Sequence, residues 1–236
     1  MLRNAANWGA HTKASSKMQE DFEIEDMVRV SPDGEGVEGL VAVGGAITPG
    51  NLLRAYRAGV FPWSSEPVVT WWSPDPRAIF DLSSYRPSRS LRKRIRSTGW
   101  DFALDRDFEG VMRKCAEATP ERPDTWIAED FIEAYTALAR MGLAHSVEVY
   151  EGGELVGGLY GVSIGGFFGG ESMFHRKTDA SKAAVAFLVQ HLRQRGFSLL
   201  DAQVPTPHLV SLGAVEISRQ EYLARLADAL ALPVTF

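Results

Sequence analysis

Three observations predict a mixed α/β fold. First, HSVEVYEGGELVGGLYGVSIGGFFGGESMF, residues 145–174, breaks into three apolar strands turned at Gly152-Gly153 and Gly165-Gly166. Second, DASKAAVAFLVQHLRQRG has helical spacing, and FSLLDAQV after it returns to strand. Third, helical segments flank this set, EDFIEAYTALARM before it and QEYLARLADAL after it. The order helix, three antiparallel-type strands, helix, strand, helix makes the helix at 180–195 a crossover between strands.

The elements follow in chain order. Residues 1–36 are polar, carry the acidic cluster EDFEIED, and read as an extension to the body. The body starts near GLVAVGGAITPG, where Thr48-Pro49 signals a helix entry and Gly59 stops NLLRAYRAG. VFPWSSEPVVTWWSPDPR, residues 60–77, holds three tryptophans and four prolines. Prolines at 62, 67, 74 and 76 remove backbone donors and fix φ, which predicts a stiff, extended, turn-broken segment. Its rings either roof a core or wall a ligand site. Residues 86–96, RPSRSLRKRIR, allow a helix that buries Leu91 and Ile95 and leaves its cations in solvent. FEGVMRKCAEAT has helical spacing and makes Cys115 a packing residue. Glu129–Met141 is a helix by the spacing of Phe131, Ile132, Tyr135 and Leu138, closed by Gly142. Asp179 or Ser181 is placed to cap the helix at 180–195, and Gly196 to end it. The arrangement fits an N-acetyltransferase-like fold.

Composition narrows the class. The chain has 236 residues, 45% hydrophobic, enough for a sizeable core. Its net charge of −5 argues against a polyanion binder as a whole, yet six of its 25 Lys and Arg residues fall within 86–96 with no acid among them. That run is either a solvated helix face or a phosphate-binding patch. A single cysteine excludes a disulfide framework and fits a reducing compartment. The N-terminal stretch lacks the apolar region of a signal peptide, and no run is long enough to span a membrane, so a cytoplasmic protein is expected. The five histidines show no metal-ligand spacing, and no phosphate loop of the G-x-x-x-x-G-K-[ST] type is present.

The candidate chemistry lies in carboxylates on apolar strands. Glu171 follows Gly169-Gly170 in FFGGESMF, and Asp201 and Gln203 lie in LLDAQV. Residues two apart on a strand share a face, so Asp201 and Gln203 are expected to point the same way. A carboxylate on a buried strand is paired or working. Each is therefore either a satisfied structural acid or a group that polarises the Gln203 carbonyl or takes a proton.

FPW, WWSPDPR, TWI, AHSVEV, LVGGLYGV, GESMF, ASK, DAQV and SLGAVEI occur in this order from about Gly39 to Leu230. Together they resemble the leucyl/phenylalanyl-tRNA–protein transferase family. The resemblance implies an α/β (α+β) chain with a small N-terminal domain and a C-terminal N-acetyltransferase-like domain, a mixed sheet with flanking helices. The expected boundaries are 37–98 and 99–236. The resemblance further implies transfer of Leu or Phe, and Met more weakly, from aminoacyl-tRNA to the N-terminal Arg or Lys of acceptor proteins. That marks them for N-end-rule degradation, with no cofactor, no metal, no coenzyme A and no membrane partner.

Carried onto this sequence, the resemblance places Asp201 and Gln203 at the reaction centre and Glu171 in the active-site cleft. Trp63 and Trp126 fall around the terminal adenosine and aminoacyl group, Leu159 and Phe168 in the side-chain pocket, and Ser181 in the ASK segment. Arg86, Arg89, Arg92, Lys93, Arg94 and Arg96 form the basic helix that meets the tRNA acceptor stem. Thr206 stands where many members have Asn, and Leu159 where Met is frequent. Two other classes compete. A coenzyme A-dependent N-acetyltransferase would need a glycine-rich helix entry where this chain has HRKTDASKAA. A non-enzymatic RNA-binding module would leave Asp201, Gln203 and Glu171 idle.

Overall fold

The computed structural model describes residues 24–30, 38–64, 67–119 and 125–236. Most of the extension expected at 1–36 lies outside these residues. Two sheets organise the chain. The smaller is antiparallel in the order β1-β2-β4-β3, from β1 (Met27–Arg29), β2 (Leu40–Gly44), β3 (Phe61–Ser64) and β4 (Thr70–Trp72). The larger has the order β11-β5-β10-β9-β8-β7-β6. Its strands are β5 (Arg77–Phe80), β6 (Asp101–Leu104), β7 (Ala144–Glu151), β8 (Glu154–Ile164), β9 (Phe167–His175), β10 (Leu199–Gln203) and β11 (Val215–Ile217). Within it β9 and β10 run parallel, and the other described pairs are antiparallel.

The three long strands turn where the paired glycines predicted. Helix α5 (Ala180–Arg195) is the crossover that makes β10 parallel to β9. The other helices are α1 (Pro49–Arg57), α2 (Arg89–Ser97), α3 (Phe108–Ala116), α4 (Glu129–Arg140), α6 (Pro207–Ser211) and α7 (Arg219–Leu230). Strands β5, β6 and β11, of three or four residues each, are too short to show a period in the sequence, and so is α6.

The large sheet is covered on both faces, and neighbouring strand residues divide between two cores as a two-residue period requires. Ile79, Tyr160, Phe167 and Leu199 join the core under α1, α3, α4 and α7. Phe80, Leu159, Phe168 and Leu200 join the core under α2 and α5. Cys115 is fully buried in the first core, the packing role expected of it. Gly157 on β8 lets α5 lie close: a Cβ there would stand 2.5 Å from the Ala180 Cβ, nearer than two carbons can sit.

One expectation about a helix boundary changes. Asp179 occupies the N-cap position of α5, but its carboxylate makes no cap bond. It pairs instead with Arg94 at 2.8 Å and Lys182 at 3.0 Å, pinning the basic helix α2 to the start of α5. The proline-rich stretch is a β3–β4 hairpin on the edge of the small sheet, after which the chain crosses at Pro74–Arg77 into the interior of the large one. By strand pairing, β5 sits with the large sheet, upstream of the boundary expected at 98.

Candidate active site

The site begins where β9 and β10 separate. Their parallel pairing runs from Leu199↔Phe167 to Asp201↔Gly169. At that point β10 is irregular: its register against β5 shifts between Asp201 and Gln203, and Gln203 has φ of 64°. A non-glycine residue at positive φ is costly and needs surroundings that impose it. Here Asp201 imposes it, since its Oδ1 accepts the Gln203 backbone N–H at 2.8 Å.

Asp201 is committed beyond that bond. Its Oδ1 accepts Arg77 Nε at 2.9 Å, and its Oδ2 accepts Arg77 Nη2 at 2.6 Å and the Tyr222 hydroxyl at 3.0 Å. Its side chain is 0% exposed and that of Arg77 1%. Arg77 also donates to the Gly59 carbonyl at 3.2 Å and lies over the rings of Phe61 and Tyr222. Burial works against the guanidinium charge, but Asp201 and then Tyr222 outweigh it and hold Arg77 above its ordinary pKa. A planar bidentate fork suits such a pair.

The bulge breaks the shared-face expectation. Asp201 points at Arg77 and touches only the main chain of Gln203. The Gln203 side chain turns to Glu171, donating Nε2–H to Oε1 at 2.9 Å. The other Glu171 oxygen accepts the Tyr135 hydroxyl at 3.2 Å, and that hydroxyl shares a short hydrogen bond with Tyr56. The Gln203 amide nitrogen is thus used, and its carbonyl oxygen has no partner among the described residues. Burial pushes the Glu171 carboxyl up to about 7; donors from Tyr56 and Gln203 oppose the rise, and the Asp201 charge adds to it.

These groups wall one side of a cavity of about 340 Å³ in the gap between the strands. Its floor is apolar: Phe80, Leu159, Val185, Leu188 and Leu200, with Met173 beside them. Its rim is aromatic. Trp63 is 42% exposed and meets Trp72 edge-on at 5.7 Å; Trp126 is part-buried and edge-on to Phe131 at 5.2 Å. Trp71 is fully buried, so the tryptophans of the proline-rich hairpin split between rim and core. Thr206 also lines the cavity, and its hydroxyl accepts the Leu209 N–H as the N-cap of α6. The structure therefore brings Asp201, Gln203, Glu171, Trp63, Trp126, Leu159 and Thr206 together around one cavity.

Two residues expected at the site do not line the cavity. Phe168 is fully buried against Phe236, because its neighbours on β9 send it to the α5 face below the gap. Ser181 is buried at 2% exposure in the first turn of α5. Of the six cations, Arg86 holds the turn before α2 by donating to the Ser83 and Tyr85 carbonyls, and Arg94 holds Asp179. Arg89, Arg92, Lys93 and Arg96 are exposed.

The model of the leucyl/phenylalanyl-tRNA protein transferase family matches residues 79–227, and the model of that transferase's N-terminal domain matches residues 45–75. The chain belongs to this transferase family. As a member of it, the chain is an aminoacyltransferase. Relatives named leucyl/phenylalanyl-tRNA–protein transferase include one from Shewanella denitrificans, 51% identical over 80% of this chain and 81% of that one. Another, from Idiomarina loihiensis, is 48% identical over 84% and 85% of the two chains. Solved structures are more distant. A GCN5-related N-acetyltransferase-like protein from Streptococcus suis aligns over 89% of this chain and 96% of its own at 14% identity, with a TM-score of 0.40. L-PGS from Bacillus licheniformis aligns over 68% and 54% at 16% identity, with a TM-score of 0.42. The two family models meet at 75–79, where the chain passes from the small sheet to the large one.

Among the described residues no helix is long and apolar enough to cross a membrane, and no group of three or more His, Cys, Asp or Glu is placed to hold a metal ion. The candidate site contains residues that sequence reasoning missed. Arg77 was visible only as the last letter of WWSPDPR. Tyr222, Tyr56 and Tyr135 occupy apolar positions of α7, α1 and α4, where helical spacing marks them as core. Their hydroxyls join them to the site, and the ring of Tyr222 also lies against Arg77.

Proposed function

We propose that the protein transfers Leu or Phe, and Met more slowly, from the 3′ end of aminoacyl-tRNA to the N-terminal Arg or Lys of acceptor proteins, labelling them for N-end-rule degradation. The observation that carries this reading is the cavity itself: an apolar floor, an aromatic rim and one polar wall whose Gln203 carbonyl is unpartnered among the described residues. An unbranched or branched apolar side chain fits the floor at Leu159. Trp63, exposed at the rim, offers a face on which the terminal base stacks. The exposed cations of α2 supply sequence-independent contacts to phosphate.

The aminoacyl ester is already activated, so no protein nucleophile is needed. The enzyme must hold the α-amine against the ester carbonyl, and positioning of this kind supplies about 7–11 kcal/mol in favourable cases. The Gln203 carbonyl accepts a hydrogen bond from the attacking amine, and Glu171 holds the Gln203 amide in that orientation. Arg77 and Tyr222 fix Asp201, and Asp201 fixes the Gln203 backbone. A pocket that reads apolar bulk discriminates only modestly between neighbours in size, which accounts for acceptance of Leu, Phe and Met. The test is incubation of the protein with radiolabelled Leu-tRNA and peptides that differ only in their first residue. Transfer to Arg- and Lys-starting peptides is expected. Absence of label on every peptide refutes the reading.

A further inference from the structure

We infer that Glu171, rather than Asp201, is the proton-accepting carboxylate of the transfer step. The inference rests on the transfer reading above and deepens it. Four donors, the Arg77 Nε and Nη2, the Tyr222 hydroxyl and the Gln203 N–H, converge on the two oxygens of Asp201, and its side chain has no exposed surface. A base must come within hydrogen-bond reach of the proton it takes. Asp201 cannot do so without breaking a buried ion pair.

Glu171 meets the requirement. It lines the cavity, is part-exposed, and is held by three neutral donors, Gln203 on Oε1, Tyr135 on Oε2 and Tyr56 beside them, which leave an acceptor position among the four of a carboxylate. Its Oε1 lies 2.9 Å from Gln203 Nε2, so an amine bonded to the carbonyl of the same amide sits one amide width away. The charged and titratable groups facing it are Tyr56 on α1, Tyr135 on α4, Asp201 on β10 and Arg77 on β5, with Tyr160 on β8 behind Tyr135. Its pKa near 7 matches a base working at neutral pH against an α-ammonium of pKa about 7.7–8.0.

In the transfer step the amine nitrogen bonds to the ester carbonyl carbon, and its proton passes to a Glu171 oxygen. The bond from that carbon to the ribose 3′ oxygen then breaks, and Glu171 returns the proton to the departing oxygen. No oxidant or further reactant enters. Glu171 ends as it began.

The experiment is a pH profile of single-turnover transfer from Leu-tRNA to Arg-starting peptides whose terminal amines differ in pKa, for wild type and Glu171→Gln. Wild type is expected to show two inflections, one that follows the acceptor amine and one near 7 that does not. Glu171→Gln keeps an acceptor for Tyr135 and is expected to lose the fixed inflection and roughly 10²-fold in kcat. Its acceptor KM should change little, and an acceptor whose terminal amine has a lower pKa, and so gives up its proton more readily, should recover part of the rate. Unchanged kcat with a KM raised only for Arg- and Lys-starting acceptors overturns the inference and makes Glu171 a counter-ion for the acceptor side chain. If Glu171→Gln does not fold, a wild-type profile lacking the fixed inflection overturns it equally. Wild type that labels no acceptor refutes the transfer reading itself.

Discussion

Replacing Arg77 with Met leaves Asp201 buried without its cation. Both side chains are at 1% exposure or less, and the guanidinium makes two bonds to the carboxylate, at 2.9 and 2.6 Å. Removing one partner of a buried pair costs about 3–5 kcal/mol, because the remaining charge has no solvent to turn to. For a domain of this size each kcal/mol lowers Tm by about 2–4 °C, so the fall should be roughly 6–20 °C. Asp201→Asn should also destabilise, since its amide group faces the guanidinium fork. Arg77→Met with Asp201→Leu should regain much of the loss, because an apolar pair of similar volume removes both desolvated charges. The assay is urea unfolding at pH 7 for the singles and the double, alongside single-turnover transfer. Tryptophan fluorescence reports on the folded state through Trp71, which is fully buried. Two results refute the reasoning. One is an Arg77→Met protein within about 1 kcal/mol of wild type, the size of an exposed pair. The other is an Asp201→Asn protein of unchanged stability that has lost roughly 10²-fold in transfer, the signature of a direct proton role.

Alanine at Arg89, Arg92, Lys93 and Arg96 should weaken tRNA binding and lower the salt slope by about 0.9 for each phosphate that is no longer neutralised. Transfer from a minimal aminoacyl-adenosine donor should be unaffected; an equal loss there would show that the helix does not meet the stem. Stability should depend on pH through Glu171. Its folded pKa of about 7 lies above its ordinary 4.5, so the folded state holds the extra proton between these values. Stability therefore falls as pH rises through that window, by at most about 3 kcal/mol. Urea titrations at pH 4.5 and 8 should show a flatter dependence for Glu171→Gln, and an unchanged slope would place the perturbation elsewhere. Gly157→Val forces side-chain carbons into Ala180, where even a Cβ would come within 2.5 Å, and should destabilise by about 1–3 kcal/mol in a melting experiment. Leu159→Ala, enlarging the cavity floor, should shift preference from Leu toward Phe when the two charged tRNAs compete.

The sequence by itself determined the elements whose pattern repeats. Strands β7, β8 and β9 are eight to eleven residues long, long enough to show their turns and their apolar faces. Helices α4 and α5 declare themselves by spacing, and the resemblance carried by WWSPDPR and GESMF pointed to the family that the comparisons bear out. Glu171, Asp201 and Gln203 stood out because polar residues on apolar strands need a reason. What the pattern could not hold was which partner answers which residue. Arg77 and Asp201 are 124 positions apart, and Tyr56 and Tyr135 are 79 apart. Periodicity records only whether a side chain is buried, so Arg77 in a four-residue strand and a tyrosine hydroxyl at a core position leave no local trace. The bulge at Gln203 arises the same way, from an Asp201 carboxylate held in place by a distant guanidinium. Tertiary structure alone decided that Asp201 faces Arg77 and that Glu171 faces the cavity, because a buried charge goes where its counter-charge is and leaves the solvent-facing wall to the acid that has none.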